Sequence, residues 1–135
     1  MLGGWTLLVF VYGTLRKGGA NDHYLRGARC HNRRCYVYGH LYDSGLGYPA
    51  LIADEKGGKV VGELYEINEQ HLVSLDELED YAPDRNHNLY ERVLHTLEDG
   101  SHCYLYVVTP DSPLVRTLIP SGDWLDWTEN KKSTE

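Results

Sequence analysis

The chain has 135 residues, short of the roughly 150 that serve as a soft mark for one domain, and its 41% hydrophobic and 24% charged content sets aside global disorder. Thirteen Lys and Arg against twenty Asp and Glu leave a net charge of −7, which argues against a nucleic-acid partner and against an anionic membrane. Aromatic content is skewed to 11 Tyr, with 3 Trp and 1 Phe, so most ring surface carries a polar tip, as expected for a wet pocket lined by rings.

In chain order, Leu7–Tyr12 is a continuous apolar run that stops at Gly13, the pattern of a strand buried on both faces. No Lys or Arg precedes it, and it is too short for a signal core or a membrane span, so a cytoplasmic protein is expected. A short helix is read near Asn21, carrying Tyr24 and Leu25. Cys30, Cys35 and Cys103 are odd in number and form no C-x-x-C pair, so reduced thiols are expected. Tyr36–Tyr42 alternates, with Tyr36, Tyr38, His40 and Tyr42 on one side and Val37, Gly39 and Leu41 on the other. Val60–Ile67, Tyr90–Leu97 and Tyr104–Val108 also read as strands, the last two joined by a hairpin at Glu98-Asp-Gly-Ser101. The one long helix is Glu69–Asp80, with Asn68 as N-cap and Glu69 in its acidic first turn. Many short strands with few helices predict a small, partly closed β-barrel with helical insertions. One domain is expected over residues 1–128, with the polar stretch 129–135 fraying as a disordered tail.

Four acids crowd the end of the long helix: Asp76, Glu77, Glu79 and Asp80. Leu72, Leu75 and Leu78 define its buried stripe, and Glu79 falls within it, four residues from Leu75. Glu77 and Asp80 point away, and Asp76 lies on the boundary. Burial and the helix dipole both raise the pKa of such a carboxyl, which suits Glu79 to proton transfer. The competing reading is a rim glutamate paired with Arg85 or Arg92. At the first strand end, Gly13 permits backbone N–H groups to converge as an anion nest, against the plainer reading of an ordinary turn.

Other chemistries find no pattern. Gly13–Ala20 lacks the Lys-Ser/Thr ending of a phosphate-binding loop, and Gly45–Ala50 lacks the third Gly of a dinucleotide fingerprint. Cys30, His31 and Cys35 do not have zinc-ligand spacing, so no metal is expected, and no G-x-S-x-G elbow occurs. The bases Arg16, Lys17, Arg26, Arg29, Arg33 and Arg34 concentrate in one stretch, read as a solvated face.

Val11-Tyr-Gly-Thr-Leu-Arg16 resembles the N-terminal Y-G-S-L loop of the γ-glutamylcyclotransferase-like (AIG2-like) superfamily. Gly62-Glu-Leu-Tyr-Glu66, Leu75-Asp-Glu-Leu-Glu-Asp-Tyr81 and Tyr90-Glu-Arg-Val93 are similar to its later blocks, in the same order. Tyr48-Pro-Ala-Leu51 and Ser121-Gly-Asp-Trp-Leu-Asp126 resemble the small bacterial members in particular. The resemblance implies an α+β fold, a small mixed β-barrel flanked by short helices. It implies a cofactor-free cyclisation of a small-molecule γ-glutamyl amide to 5-oxoproline and a free amine. It further implies that Tyr12, Gly13, Thr14 and Leu15 hold the substrate carboxylate, that Glu79 is the catalytic acid/base, and that Tyr90 is a pocket tyrosine. Three positions depart from the pattern: Thr14 replaces Ser, Asp80 stands where Gly often follows the acid, and Arg16-Lys17 would reshape the pocket mouth toward an anionic leaving group.

Two further readings stand beside the enzyme. One is a non-catalytic binding protein that uses the nest for a small amino-acid-like or anionic ligand. The other is a barrel that stacks nucleobases on Tyr36, Tyr38 and Tyr42, against which the net charge counts. An acid on a buried stripe favours the enzyme, since a pure binder has no need of one. No motif specifies the leaving amine or the oligomeric state.

Overall fold

The computed structural model describes residues 7–133; the residues before and after, including the N-terminal ones weighed in the targeting argument, lie outside the described residues. Its strands are β1 (Leu7–Val11), β2 (Arg29–Asp43), β3 (Pro49–Ala53), β4 (Gly58–Ile67), β5 (Glu91–Thr96), β6 (His102–Val107) and β7 (Thr117–Leu118). Two α-helices, α1 (Glu69–Leu78) and α2 (Trp124–Ser133), and a 3-10 turn (Asp22–Leu25) complete it. The sheet runs β3-β2-β4-β1-β6-β5, with β7 added beside β2. β1 pairs antiparallel with β4 (Val9 opposite Tyr65) and parallel with β6 (Val9 opposite Tyr104), which makes the sheet mixed.

Two register shifts in β2, between Cys30 and Asn32 and between Asn32 and Cys35, bend that long strand and curl the sheet. At the far side the Val108 N–H donates to the Leu51 carbonyl at 2.9 Å, linking the end of β6 to β3. The result is a curled half-barrel with helices, the α+β fold expected.

Side chains of β1 alternate between two cores, as period-two geometry requires. Leu8, Phe10 and Tyr12 pack on one side with Leu105, Ile119 and Trp124, whereas Val9 and Val11 pack on the other with Leu75 of α1. In β2 the expected alternation is present, with Val37, Gly39 and Leu41 buried and Tyr38 exposed. Asn68 caps α1 in a reciprocal box with His71: the Asn68 side chain accepts from the His71 N–H and His71 accepts from the Asn68 N–H.

Three features depart from the sequence reading. β2 begins at Arg29, so the basic stretch is partly a strand. β3 and α2 were not read as elements at all. Residues 129–133, read as tail, continue α2, whose Trp124 is buried and whose Trp127 donates its indole N–H to Asp43 at 2.8 Å.

Arg16 is the clearest correction. It is not at a pocket rim but 5% exposed, its Nε donating to Glu63 at 3.3 Å and its Nη1 to Asp123 at 2.8 Å. Glu63 also accepts from the Tyr65 hydroxyl (2.6 Å) and the Lys17 N–H (2.9 Å). The chain after β1 is thereby tied to β4 and to the start of α2. Breaking a buried pair costs more than the pair contributes, because it strands the partner charge. Arg16→Met is expected to lose about 3–5 kcal/mol of stability, read as a lower denaturant midpoint.

Candidate active site

Where β1 ends, the chain turns through Tyr12, Gly13, Thr14 and Leu15 and forms one wall of a cavity of about 170 Å³. Gly13 is not needed for an unusual φ; a Cβ there would meet the Pro49 ring at 2.6 Å. Its reason is close approach to the start of β3, which differs from the conformational reason expected from sequence. Thr14 is fixed by Asn21, whose side-chain amide donates to the Thr14 hydroxyl at 3.0 Å and whose N–H donates to the Thr14 carbonyl at 2.8 Å. The threonine hydroxyl thus accepts a bond that a serine could equally accept. Among the described residues, the N–H groups of Gly13, Thr14 and Leu15 meet no acceptor, while the Arg16 N–H closes the turn onto the Gly13 carbonyl at 3.1 Å.

The opposite wall is the end of α1. Glu79 is its C-cap residue, and its N–H donates to the Leu75 carbonyl at 2.9 Å. Asp80 follows at φ 53°, in the left-handed region. The Asp80 N–H donates to Glu77 and the Tyr81 N–H to Asp76, the two bonds of a Schellman ending. Aspartate tolerates this conformation better than most side chains, so the turn expected of glycine is kept here without it. That turn aims Glu79 into the cavity.

Neither arginine considered as a partner reaches Glu79. Arg85 pairs with Asp80 at 3.0 Å, and Arg92 pairs with Asp76. No described residue donates to the Glu79 carboxyl, and burial pushes its pKa up to about 7. The boundary position of Asp76 is satisfied differently, since it also accepts from the Tyr106 hydroxyl at 2.7 Å.

Tyrosines complete the lining. The Tyr12 hydroxyl donates to the Tyr106 carbonyl (2.7 Å) and the Tyr90 hydroxyl to the Pro49 carbonyl (2.6 Å), so both rings are pinned by backbone. Burial holds both phenols well above their ordinary pKa. The structure brings all six residues singled out from sequence, Tyr12, Gly13, Thr14, Leu15, Glu79 and Tyr90, to this one cavity. Sequence reasoning missed Asn21, Tyr48, Pro49, Leu78, Leu89 and Tyr106, which also line it. For Tyr106 a signal existed in the strand alternation from Tyr104; for Asn21 and Leu89, which sit in irregular segments, none did. Among the described residues, no Lys, Arg or His lines the cavity, and Glu79 is the one carboxylate there.

The family described as Gamma-glutamyl cyclotransferase, AIG2-like, matches residues 9–126, which include both walls of the cavity. The chain belongs to that family. Among its relatives, the BH1612 protein of Halalkalibacterium halodurans, which carries a provisional γ-glutamylcyclotransferase name, is 99% identical over 111 residues, 82% of this chain and 100% of its own. The γ-L-glutamyl-butirosin B γ-glutamyl cyclotransferase of Niallia circulans is 38% identical over 86% of this chain and 74% of its own. The crystal structure of an AIG2-like protein from Mus musculus superposes with a TM-score of 0.69 at 25% identity, covering 90% of this chain and 89% of that one. The fold and the motif order expected from the resemblance agree with these family relationships.

The raised pKa of Glu79 has a definite sign for stability. Between the ordinary carboxyl value of 4.5 and about 7 the folded chain holds a proton that the unfolded chain has released. Raising the pH through that window therefore removes stability, by about 1.4 kcal/mol per unit of pKa difference at most. Glu79→Gln, which carries no charge to bury, is expected to escape this loss. Its stability relative to wild type should rise between pH 4.5 and 7 and reach on the order of 2–3 kcal/mol above it, measured by denaturant unfolding across that range.

Proposed function

We propose that the protein is a γ-glutamyl-amine cyclotransferase: it converts a γ-glutamyl amide to 5-oxoproline and a free amine. The single observation behind this reading is Glu79, an unpaired carboxyl with a pKa near 7, across a small cavity from three free backbone N–H groups. The N–H groups of Gly13, Thr14 and Leu15 bind the α-carboxylate. Binding there folds the γ-glutamyl chain back on itself, so that its α-amine lies against its own γ-carbonyl, the arrangement in which intramolecular attack gains most.

The α-amine is largely protonated near neutral pH; it gives one proton to solvent before it reacts, and the neutral amine still needs a base for its second. The Glu79 carboxylate takes a proton from the amine as its nitrogen bonds to the γ-carbon. The resulting acid gives that proton to the departing nitrogen as the old C–N bond breaks. A pKa near 7 suits one group to both roles. No water is consumed and no cofactor is required. Tyr12 and Tyr90 use their hydroxyl protons on backbone carbonyls, so they act as fixed walls around the folded substrate. The free thiols Cys30, Cys35 and Cys103 fit work in a reducing compartment such as the cytoplasm.

The cavity also bears on the leaving amine. Arg16 is buried among its own partners and no cation among the described residues lines the site, so a leaving group with its own carboxylate finds no partner among them. The lining includes the half-buried Tyr48, Leu78 and Leu89, which suit an uncharged or aliphatic amine. The N. circulans relative is named for a γ-glutamyl compound, which accords with this class of substrate.

The test is 5-oxoproline release from a panel of γ-glutamyl compounds. Turnover is expected with γ-glutamyl alkylamines ahead of γ-glutamyl amino acids. Glu79→Gln should lower kcat by about 10²–10⁴ while 5-oxoproline still binds, because the amide keeps the shape and cannot take a proton. A folded Glu79→Gln protein with full turnover would leave the chemistry to another base and end this reading.

A further inference from the structure

Glu79 caps the C-terminal end of a helix, where ends fray, yet its reach into the cavity must be held to a fraction of an ångström. What holds the helix end lies outside the cavity. Arg92, on β5, donates to one oxygen of Asp76, three residues before Glu79. The other oxygen of Asp76 accepts from the Tyr106 hydroxyl at 2.7 Å. The same guanidinium lies over the ring of Tyr81, two residues after Glu79, at 5.0 Å, and over that of Tyr104 on β6 at 4.8 Å. Asp76 and Tyr81 are themselves joined, since the Tyr81 N–H donates to the Asp76 carbonyl at 2.9 Å. One side chain therefore grips both ends of the Schellman turn that carries Glu79, and ties it to β5 and β6.

We propose that Arg92 is a positioning residue for Glu79, gripping the helix end on both sides of that carboxyl and keeping it turned into the cavity and away from water. This rests on the function proposed above. A flat guanidinium is needed because it must stack on two rings while it bonds a carboxylate, which the compact ammonium of lysine cannot do equally well. The groups facing Glu79 are the phenols of Tyr12 at the end of β1, Tyr90 ahead of β5 and Tyr106 on β6, all held neutral well past neutral pH by burial. On its own helix, Asp76 is paired with Arg92, Asp80 with Arg85, and Glu77 is exposed. With no charged partner at hand, the carboxyl is raised by burial alone, so loosening the grip admits water and lowers its titration.

The experiment compares Arg92→Lys and Arg92→Met with wild type, and with Leu94→Ala, an exposed neighbour on β5, as control. Two quantities are read: kcat and KM for 5-oxoproline release, and the titration of the Glu79 carboxyl in the free protein by carbon-13 NMR. Arg92→Met is expected to lower kcat on the order of 10²-fold with little change in KM, because the carboxylate-binding turn on β1 is untouched. Its Glu79 midpoint should fall from about 7 toward the ordinary carboxylate range. Arg92→Lys should lie between it and wild type, and Leu94→Ala should match wild type. A merely structural Arg92 would lower the melting temperature and leave midpoint and kcat in place in the folded fraction; that result overturns the proposal. If Arg92→Met does not fold, Arg92→Lys decides alone, and wild-type kcat with a wild-type midpoint counts against it. Should wild type release no 5-oxoproline from any compound, the function fails separately, and the NMR midpoints still judge the grip.

Discussion

Because β1 is paired on both edges, antiparallel to β4 and parallel to β6, it has no edge or face left for water, and Val9 and Phe10 are essentially inaccessible. A strand so enclosed cannot deliver the following residues to the surface, so the turn from Tyr12 to Leu15 begins inside the molecule. Its backbone N–H groups are then out of reach of strand partners while still at the end of a barrel. The parallel partner matters too, for it requires the intervening chain to cross over before β6 is laid down, and that crossover contains α1. The cavity is the gap between the exit of β1 and the end of the helix in its crossover. Both walls follow from one strand order.

Charge inside this fold is treated in two opposite ways. The Arg16–Glu63–Asp123 group is saturated, with Glu63 receiving the guanidinium, a phenol and a backbone N–H, which makes the segment after the turn rigid. Glu79 is left without a partner at the other wall. A half-buried acid with no partner among the described residues is a cost to stability, and such groups cluster where chemistry uses them. Under the proposed function this contrast marks off the structural carboxylate from the reactive one: the one is crowded by donors, the other has none among the described residues.

Most of the site was legible because its residues lie at the ends of strongly patterned elements. The run Leu7–Tyr12 and the leucine stripe of α1 each point to where they stop, and what stops there is the turn and Glu79. The pairing question was not legible. Arg85 and Arg92 both lay within reach in sequence, and only the strand register of β5 sends Arg92 to Asp76. Arg16 misled for a similar reason: nothing local says that a base beside a loop will be buried, since its partners stand 47 and 107 residues away. The polar composition of α2 hides it, although Asp123 ahead of Trp124 is a helix-start pattern and its carboxylate does accept from the Asp126 N–H at 3.2 Å. β3 is five residues that begin with Pro49, too short to announce itself by alternation.

The join between β6 and β3 is made by the Val108 amide on the Leu51 carbonyl, with the Tyr12 and Tyr90 phenols bracing the backbone on either side. β1–β4, β2–β3 and β5–β6, by contrast, meet through ladders of five or six residue pairs. A seam sewn by so few stitches is expected to open at a cost well below the free energy of global unfolding. The Val108 amide should then exchange its proton with solvent through local breathing, while Val9 and Phe10 exchange only when the whole domain opens. Since Pro49 and Tyr106 belong both to the seam and to the cavity wall, an opening of the seam would carry the cavity wall with it.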